Sequence, residues 1–486
     1  MTSRKAKVLA LSIGNALSSL IGIAVSIVMA RVLLKEDLAA YRQTFLAYAT
    51  VAPIIGLGIG QGMFYFLPTE KLRIRGRLLD GMAVTGTMGV AFATFIAFGG
   101  NELLAQRFSN PKIANLLLWM IPYAIITTPT NFVGSVLVAR DHATRAAVFG
   151  TCRHLFVGAS TIIPLLIWQT VEITIVGNLV ASILMAFFAL RLMLNSTPAD
   201  SCNPTLAGIR ELVTFSMPLA LAGMFGTLSL QLDKIIVSAM CPPEEFAVYS
   251  LDAIEIPLIG IVTGAITSVA LTDMRKAVDA EKPQEALRLF RGIAEKSSLV
   301  ILPVMVYLLI NADALISILY TSVYIDSATP FRLYLLLLPI RTVVFGSIIV
   351  AAGASRFVLI RSLTGLVINL VLSILFVSAF GYSGAVLATV STVYCWDVAA
   401  NIVVISNLMD TAYRNVIPLR HMATTLISTL PFAIVSILGI HTLGDGNGPL
   451  FLSTAAFLSY TILYWRGKLY EPRQLLQYTR GLHLFR

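Results

Sequence analysis

Residues 33 to 41 read LLKEDLAAY, and residues 241 to 249 read CPPEEFAVY. Set one above the other, Glu36 falls on Glu244, Asp37 on Glu245, Ala39 on Ala247 and Tyr41 on Tyr249, an offset of 208 positions. Acidic residues in the first turn of a helix favour its positive end, and a tyrosine with its polar tip is stable at a membrane–water boundary. The local reading is therefore a helix-start signal, and its recurrence halfway along the chain points to a duplication.

What surrounds the two copies is very apolar. Hydrophobic residues make up 57% of the chain and charged residues 12%, with a mean hydropathy of +0.83; soluble domains carry about 25% charged residues. Such a composition implies a polytopic membrane protein. The apolar run from Val8 to Val32 follows Arg4, Lys5 and Lys7, and it is too long for a signal-peptide core, so it reads as a first retained helix. Cys152, Cys202, Cys241 and Cys395 form no CxxC pair, which leaves no disulfide framework or zinc site to expect. The five histidines are widely scattered, and no GxxxxGK[ST], GxSxG or HExxH motif occurs. No catalytic residue, cofactor or metal is expected.

Apolar stretches of about 20 residues predict some fourteen spans, at 8–32, 42–67, 79–99, 113–138, 147–168, 172–194, 211–239, 247–272, 293–312, 331–352, 357–379, 382–408, 417–440 and 449–465. With a cytoplasmic N-terminus, the inner segments and the span ends next to them hold 27 of the 35 basic residues, among them Lys71, Arg73, Arg75 and Arg77. The outer segments hold six: Arg31, Lys35, Arg42, Arg107, Lys112 and Arg332. This bias follows the positive-inside rule and puts both termini in the cytoplasm. Topology and attraction to anionic membrane lipid account for the net charge of +10 without a nucleic-acid partner. KEDLAAY then joins spans 1 and 2 on the outer face, and PEEFAVY joins spans 7 and 8 on the same face. An even number of spans separates them, so the repeat is parallel. LLLWMIP at 116–122 and LLLLPI at 335–340 echo it. The expected fold is all-α: a six-helix lobe at 1–200, a second at 201–410, and two further helices with a cytoplasmic tail at 411–486. The segment 272–297 reads as an interfacial helix, with Leu287, Phe290 and Ala294 on one face.

Ionisable groups inside spans cost roughly 2.5–3.5 kcal/mol on insertion scales, so they face a cavity or a partner. Those singled out are Asp233, Lys234, Asp252, Glu255, Arg341 and Asp397, with Arg31 and Arg42 at the outer margin. Asp252 and Glu255 share a helix face and form the leading protonatable pair; Asp233 and Asp397 are further ion-coupling candidates. Lys234 has a structural alternative, pairing with Asp252 or Glu255, and Arg341 has one in Asp397. Span 1 carries Asn15, Ser19, Gly22 and Ser26 along one stripe, and span 7 carries Gly223, Thr227, Gln231 and Lys234; small residues in such stripes also serve helix packing.

MARVLLKEDLAAYRQT, GIGQGMFYFLP and FSMPLALAGMFGTLSLQLDKIIVSAMCPPEEFAVY together resemble the Wzx-type polysaccharide flippases of the multidrug/oligosaccharidyl-lipid/polysaccharide (MOP) exporter superfamily. The resemblance implies two six-helix bundles that move a polyprenyl-diphosphate-linked oligosaccharide from the inner to the outer leaflet of the bacterial cytoplasmic membrane, as in O-antigen and lipopolysaccharide synthesis. It also implies a cationic cavity, for which Arg341, Lys234, Arg31 and Arg42, with Gln231 and Asn15, are the matching positions. Its partners would be the lipid-linked substrate, membrane lipids and a polysaccharide polymerase in the same membrane. Span 4 has no charged counterpart of Arg341. The alternatives are a multidrug or cation antiporter, which would favour an acidic lumen, and a flippase of a lipid-linked peptidoglycan precursor. A membrane polymerase or ligase is disfavoured by the short outer loops, the longest being 311–330.

The topology makes a direct prediction. A cysteine at position 284 should stay unlabelled when an impermeant maleimide is added to intact cells, while cysteines at 36 and 244 should react. Labelling of position 284 from outside would overturn both the orientation and the parallel repeat.

Overall fold

Hydrocarbon offers no partner to a backbone N–H or C=O, so a chain this apolar satisfies its backbone through helices or a closed barrel. The computed structural model describes residues 4–70, 72–198, 203–252, 271, 273–444 and 447–469, and among them it contains helices and no strand. Ten helices among the described residues are long and apolar enough to span a membrane, or twelve if two bent pairs each count as one. The expected fourteen is not reached among the described residues. The predicted span 247–272 lies mostly outside the described residues, and 449–465 falls in a shorter apolar helix, Gly448–Tyr464.

Both bent pairs restart at a Leu-Pro step. Ser322–Leu335 and Leu338–Ala351 meet at 45°, and Leu419–Ser428 and Leu430–Leu443 meet at 42°. Pro339 and Pro431 occupy the first turn after each break, where a missing N–H costs a helix nothing. Near the first break two hydroxyls bond back to the chain: the Thr342 hydroxyl donates to the Pro339 carbonyl at 2.7 Å, and the Ser347 hydroxyl to the Val344 carbonyl at 2.7 Å.

The chain forms two compact units, one of Met1–Gly264 with Ala354–Ala400, the other of Ala265–Gly353 with Asn401–Arg486. In the first, Arg4–Val32 and Val171–Asn195 pack along Ala143–Trp168, while Lys35–Gly56 lies against Leu206–Met240 and Pro243–Asp252. A core of Ile59, Met63, Leu78, Val136, Met193 and Leu212 closes one end of it. In the second, Pro283–Ile310 is the central helix, packed on Leu419–Ser428 and on both halves of the first bent pair.

That central helix corrects the reading of 272–297 as an interfacial helix. The segment has no separate end: Pro283–Ile310 runs unbroken for 28 residues. Leu287, Phe290 and Ala294 are buried, with the Phe290 ring 6.2 Å from that of Phe345. The apolar face meets its own unit, because neighbouring helices offer it a closer-packed surface than the membrane boundary does.

The span Lys35–Phe66 is interrupted at Leu57 and Gly58, whose φ values are 43° and 64°. A Cβ on Gly58 would lie 2.7 Å from the Ser216 carbonyl oxygen and 3.0 Å from the Ala220 nitrogen, so glycine is needed for both conformation and contact. Gly58→Ala should lower the thermal unfolding temperature of the purified protein in detergent, at an expense of about 1–2 kcal/mol from backbone strain alone. Gly56→Ala, with open space around its Cβ, should leave it unchanged.

Candidate functional site

Arg341 ends the four-residue helical turn Leu338–Arg341, directly after the break in its span, and its side chain is exposed. Irregular backbone at membrane depth is tolerated where it is buried in protein or lines a water-filled cavity. A guanidinium at such an interruption can offer two parallel donors to a phosphate.

In the first unit, Arg42 and Lys234 lie on helices that pack on one another, Lys35–Gly56 and Leu206–Met240. Their level is fixed by Gln43, which is fully buried and donates to the Ser238 hydroxyl at 2.9 Å and to the Phe108 carbonyl at 3.2 Å. Asn110 in turn donates to the Gln43 side-chain oxygen at 2.6 Å. Gln43 adjoins Arg42, and Ser238 is one turn, about 5.4 Å, beyond Lys234. Lys234 therefore lies about one helical turn from the level of Gln43. The Arg42 guanidinium donates to the Ser250 carbonyl and to the Ser26 hydroxyl, tying three helices together. Arg31 and Asn15 are exposed on Arg4–Val32, and Lys234 is half-buried.

Asp233, an ion-coupling candidate in the sequence, is engaged within the protein. It is buried, receives the Tyr249 hydroxyl at 2.6 Å and caps the Lys234 N–H at 2.9 Å. Tyr249, expected at a boundary, is fully buried. Its counterpart Tyr41 accepts from Asn178 at 3.2 Å. Three residues before Lys234, the side-chain oxygen of Gln231 is buried and meets no hydrogen-bond donor among the described residues. An unmet acceptor of this kind costs about 1–3 kcal/mol unless water or ligand satisfies it.

Asp397, considered above as a partner for Arg341, is half-buried and pairs with Arg361 at 2.8 Å. It sits in a π-helical turn, Thr392–Val398, which re-aims the carboxylate toward Ser355–Phe380. Gly365 makes room for it: a Cβ there would lie 3.3 Å from the Asp397 oxygen. The sequence reading passed over Arg361 because it lies near a span end, where an arginine looks like an inside-positive flank. Glu255 and the side chain of Asp252 lie outside the described residues.

The basic loop does more than set the charge bias. Asp80 is fully buried and accepts the Thr205 N–H at 2.8 Å, with the Arg73 guanidinium 3.6 Å away. Arg75 donates to the carbonyls of Leu194 and Thr197, both at 2.9 Å, and Arg77 donates to the Gly208 carbonyl at 3.1 Å and to Glu211 at 2.7 Å. Each arginine grips the backbone of the connection between spans 6 and 7. The RxRxR spacing was the available signal.

A family model described as "Polysaccharide biosynthesis protein" matches residues 82–329. Among solved structures, a lipid II flippase MurJ in an inward closed conformation aligns over 95% of this chain and 100% of its own, with TM-score 0.76 and 16% identity. An inward-facing multidrug resistance MATE transporter of the MOP superfamily aligns over 81% and 96%, with TM-score 0.63 and 16% identity. A MOP transporter from Pyrococcus furiosus aligns over 83% and 96%, with TM-score 0.57 and 16% identity. At that identity these likenesses concern the fold. No sequence among the curated proteins matches this chain.

The Arg361–Asp397 pair carries its own prediction. Arg361→Ala should lower the yield of folded protein, because the loss of its partner strands a half-buried carboxylate at roughly 1–3 kcal/mol. Arg361→Ala combined with Asp397→Ala should restore the yield, as read by size-exclusion chromatography of a fluorescent fusion; no recovery would mean that Arg361 has a further role.

Proposed function

Because this chain belongs to the polysaccharide biosynthesis protein family and folds like transporters of the MOP superfamily, we propose that it is a flippase for a polyprenyl-diphosphate-linked oligosaccharide. It carries the headgroup from the inner to the outer leaflet of the bacterial cytoplasmic membrane, by alternating access between lobes 1–200 and 201–410, with both termini in the cytoplasm. The observation that carries this reading is Arg341, an exposed cation directly after the interruption of a broken span. A charge at that depth is costly, and its paired donors match the oxygens of a diphosphate.

Arg341, Lys234, Arg42 and Arg31 compensate the phosphates, while Gln231 and Asn15 meet sugar hydroxyls. The unmet Gln231 acceptor supports that assignment. The lipid tail stays in the bilayer, so only the headgroup needs a polar route. Asp252 and Glu255, three positions apart in the sequence, are the proposed proton-coupling pair; Asp233 and Asp397 are already engaged within the protein. The glycan is passed to a polysaccharide polymerase on the outer side. A lipid-linked peptidoglycan precursor is the second reading, favoured by the extent of the fold match to the lipid II flippase.

Reconstitution in sealed vesicles tests the proposal. Lipid-linked oligosaccharide loaded in the inner leaflet should become accessible to an external glycosidase without nucleotide. Arg341→Lys should retain part of the rate and Arg341→Ala nearly none, at equal protein level. Normal flipping by Arg341→Ala would remove the phosphate-binding role.

A further inference from the structure

Where span Lys35–Phe66 ends and helix Leu206–Met240 begins, a cleft of about 640 Å³ opens between Tyr65, Phe66, Arg210, Glu211, Thr214 and Phe215. Its volume is in the range of small-ligand pockets, about 300–1,000 Å³. One wall is aromatic. Tyr65 stacks on Phe215 with centroids 4.4 Å apart and planes at 22°, and yet remains 58% exposed. Phe66 meets Phe215 edge to face at 5.2 Å, and the Arg77 guanidinium lies 4.6 Å over the Phe66 ring.

Charged and polar groups adjoin the aromatic wall on the same helix as Phe215. Glu211 is more than half exposed, but one of its oxygens is held by Arg77 at 2.7 Å, and the Arg77 side chain is itself only 7% exposed. The same arginine lies 3.6 Å from Glu70 and donates to the Gly208 carbonyl. Glu211 is therefore an oriented acceptor. Arg210 and Thr214 are exposed beside it.

We propose that this cleft is a docking site for the phosphorylated sugar headgroup of the lipid-linked substrate, used on the inner side before the headgroup reaches the intramembrane cations. The chemistry fits each part. The weakly positive axial C–H groups of a pyranose lie against the negative face of an aromatic ring. The second oxygen of Glu211 and the Thr214 hydroxyl accept from sugar hydroxyls, and Arg210 takes a phosphate through paired donors. An aromatic ring serving only as a membrane-boundary anchor would need neither the oriented carboxylate nor the flanking arginine. The assignment rests on the flippase reading for its substrate class.

The test uses the full-length protein in nanodiscs with two probes: the disaccharide chitobiose, and N-acetylglucosamine linked through diphosphate to a short citronellyl chain. Saturation-transfer NMR should detect both, with the second displacing the first. Tyr65→Phe should keep chitobiose binding, whereas Tyr65→Leu should weaken it about tenfold, the loss of a stacked ring face. Arg210→Gln should weaken the diphosphate probe about tenfold, the loss of a charge-assisted pair, and leave chitobiose unchanged. Equal binding by Tyr65→Leu and the native protein, or no transfer to either probe, overturns the cleft. Flipping by the native protein distinguishes the two claims: intact flipping with no Tyr65 effect removes the cleft alone, and Tyr65-dependent binding without flipping removes the transport reading alone.

Discussion

A charge or an unpaired backbone group placed in hydrocarbon has only the protein to turn to. The first unit answers with a set of internal pairings. Arg42 ties to Ser250 and Ser26, Asp233 takes the Tyr249 hydroxyl, Gln43 joins Asn110 and Ser238, and Asp397 holds Arg361. Each pairing crosses between helices, so satisfying the polar groups also sets the register in which the helices pack. In the second unit, hydroxyls near the broken span bond back to the chain, Thr342 to the Pro339 carbonyl and Ser347 to the Val344 carbonyl.

The duplicated acidic motif shows how one local signal serves two surroundings. Both copies open a helix with acids in its first turn, which is the helix-dipole reading. In the first copy the acids also bind Lys112, at 3.0 Å to Glu36 and 3.0 Å to Asp37. That contact is more than a fifth exposed on each partner, so it adds little stability and mainly orients the loop. The two tyrosines diverge further: Tyr41 accepts a hydrogen bond from an asparagine, and Tyr249 donates one to a buried carboxylate. The two copies share a helix start and differ in their interior contacts.

The basic loop makes a related point about charge. Counted as topology, Arg73, Arg75 and Arg77 are three more positive residues on one side. In three dimensions all three reach carbonyls of the segment between spans 6 and 7, and the buried Asp80 caps the start of that segment's helix through Thr205. The junction between the repeats is held by directed hydrogen bonds, and these in turn shape the cleft beside Glu211.

Composition, span length and the repeated motif are properties of the chain itself, because hydrocarbon selects for apolar runs of helical length whatever they pack against. For that reason the all-helical membrane class and most span positions, from 8–32 to 382–408, were legible in the sequence, as were the ionisable residues worth following. What the sequence could not reveal was orientation about each helix axis and the choice of partner. Leu287, Phe290 and Ala294 form one apolar face in any helix, but only tertiary packing turned it inward. The sequence offered Arg341 as the partner of Asp397, whereas the folded chain, with a π turn that no residue pattern announces, pairs it with Arg361. Side-chain pairing depends on distances of 3 to 4 Å between elements far apart in sequence, and those are fixed by how the helices cross.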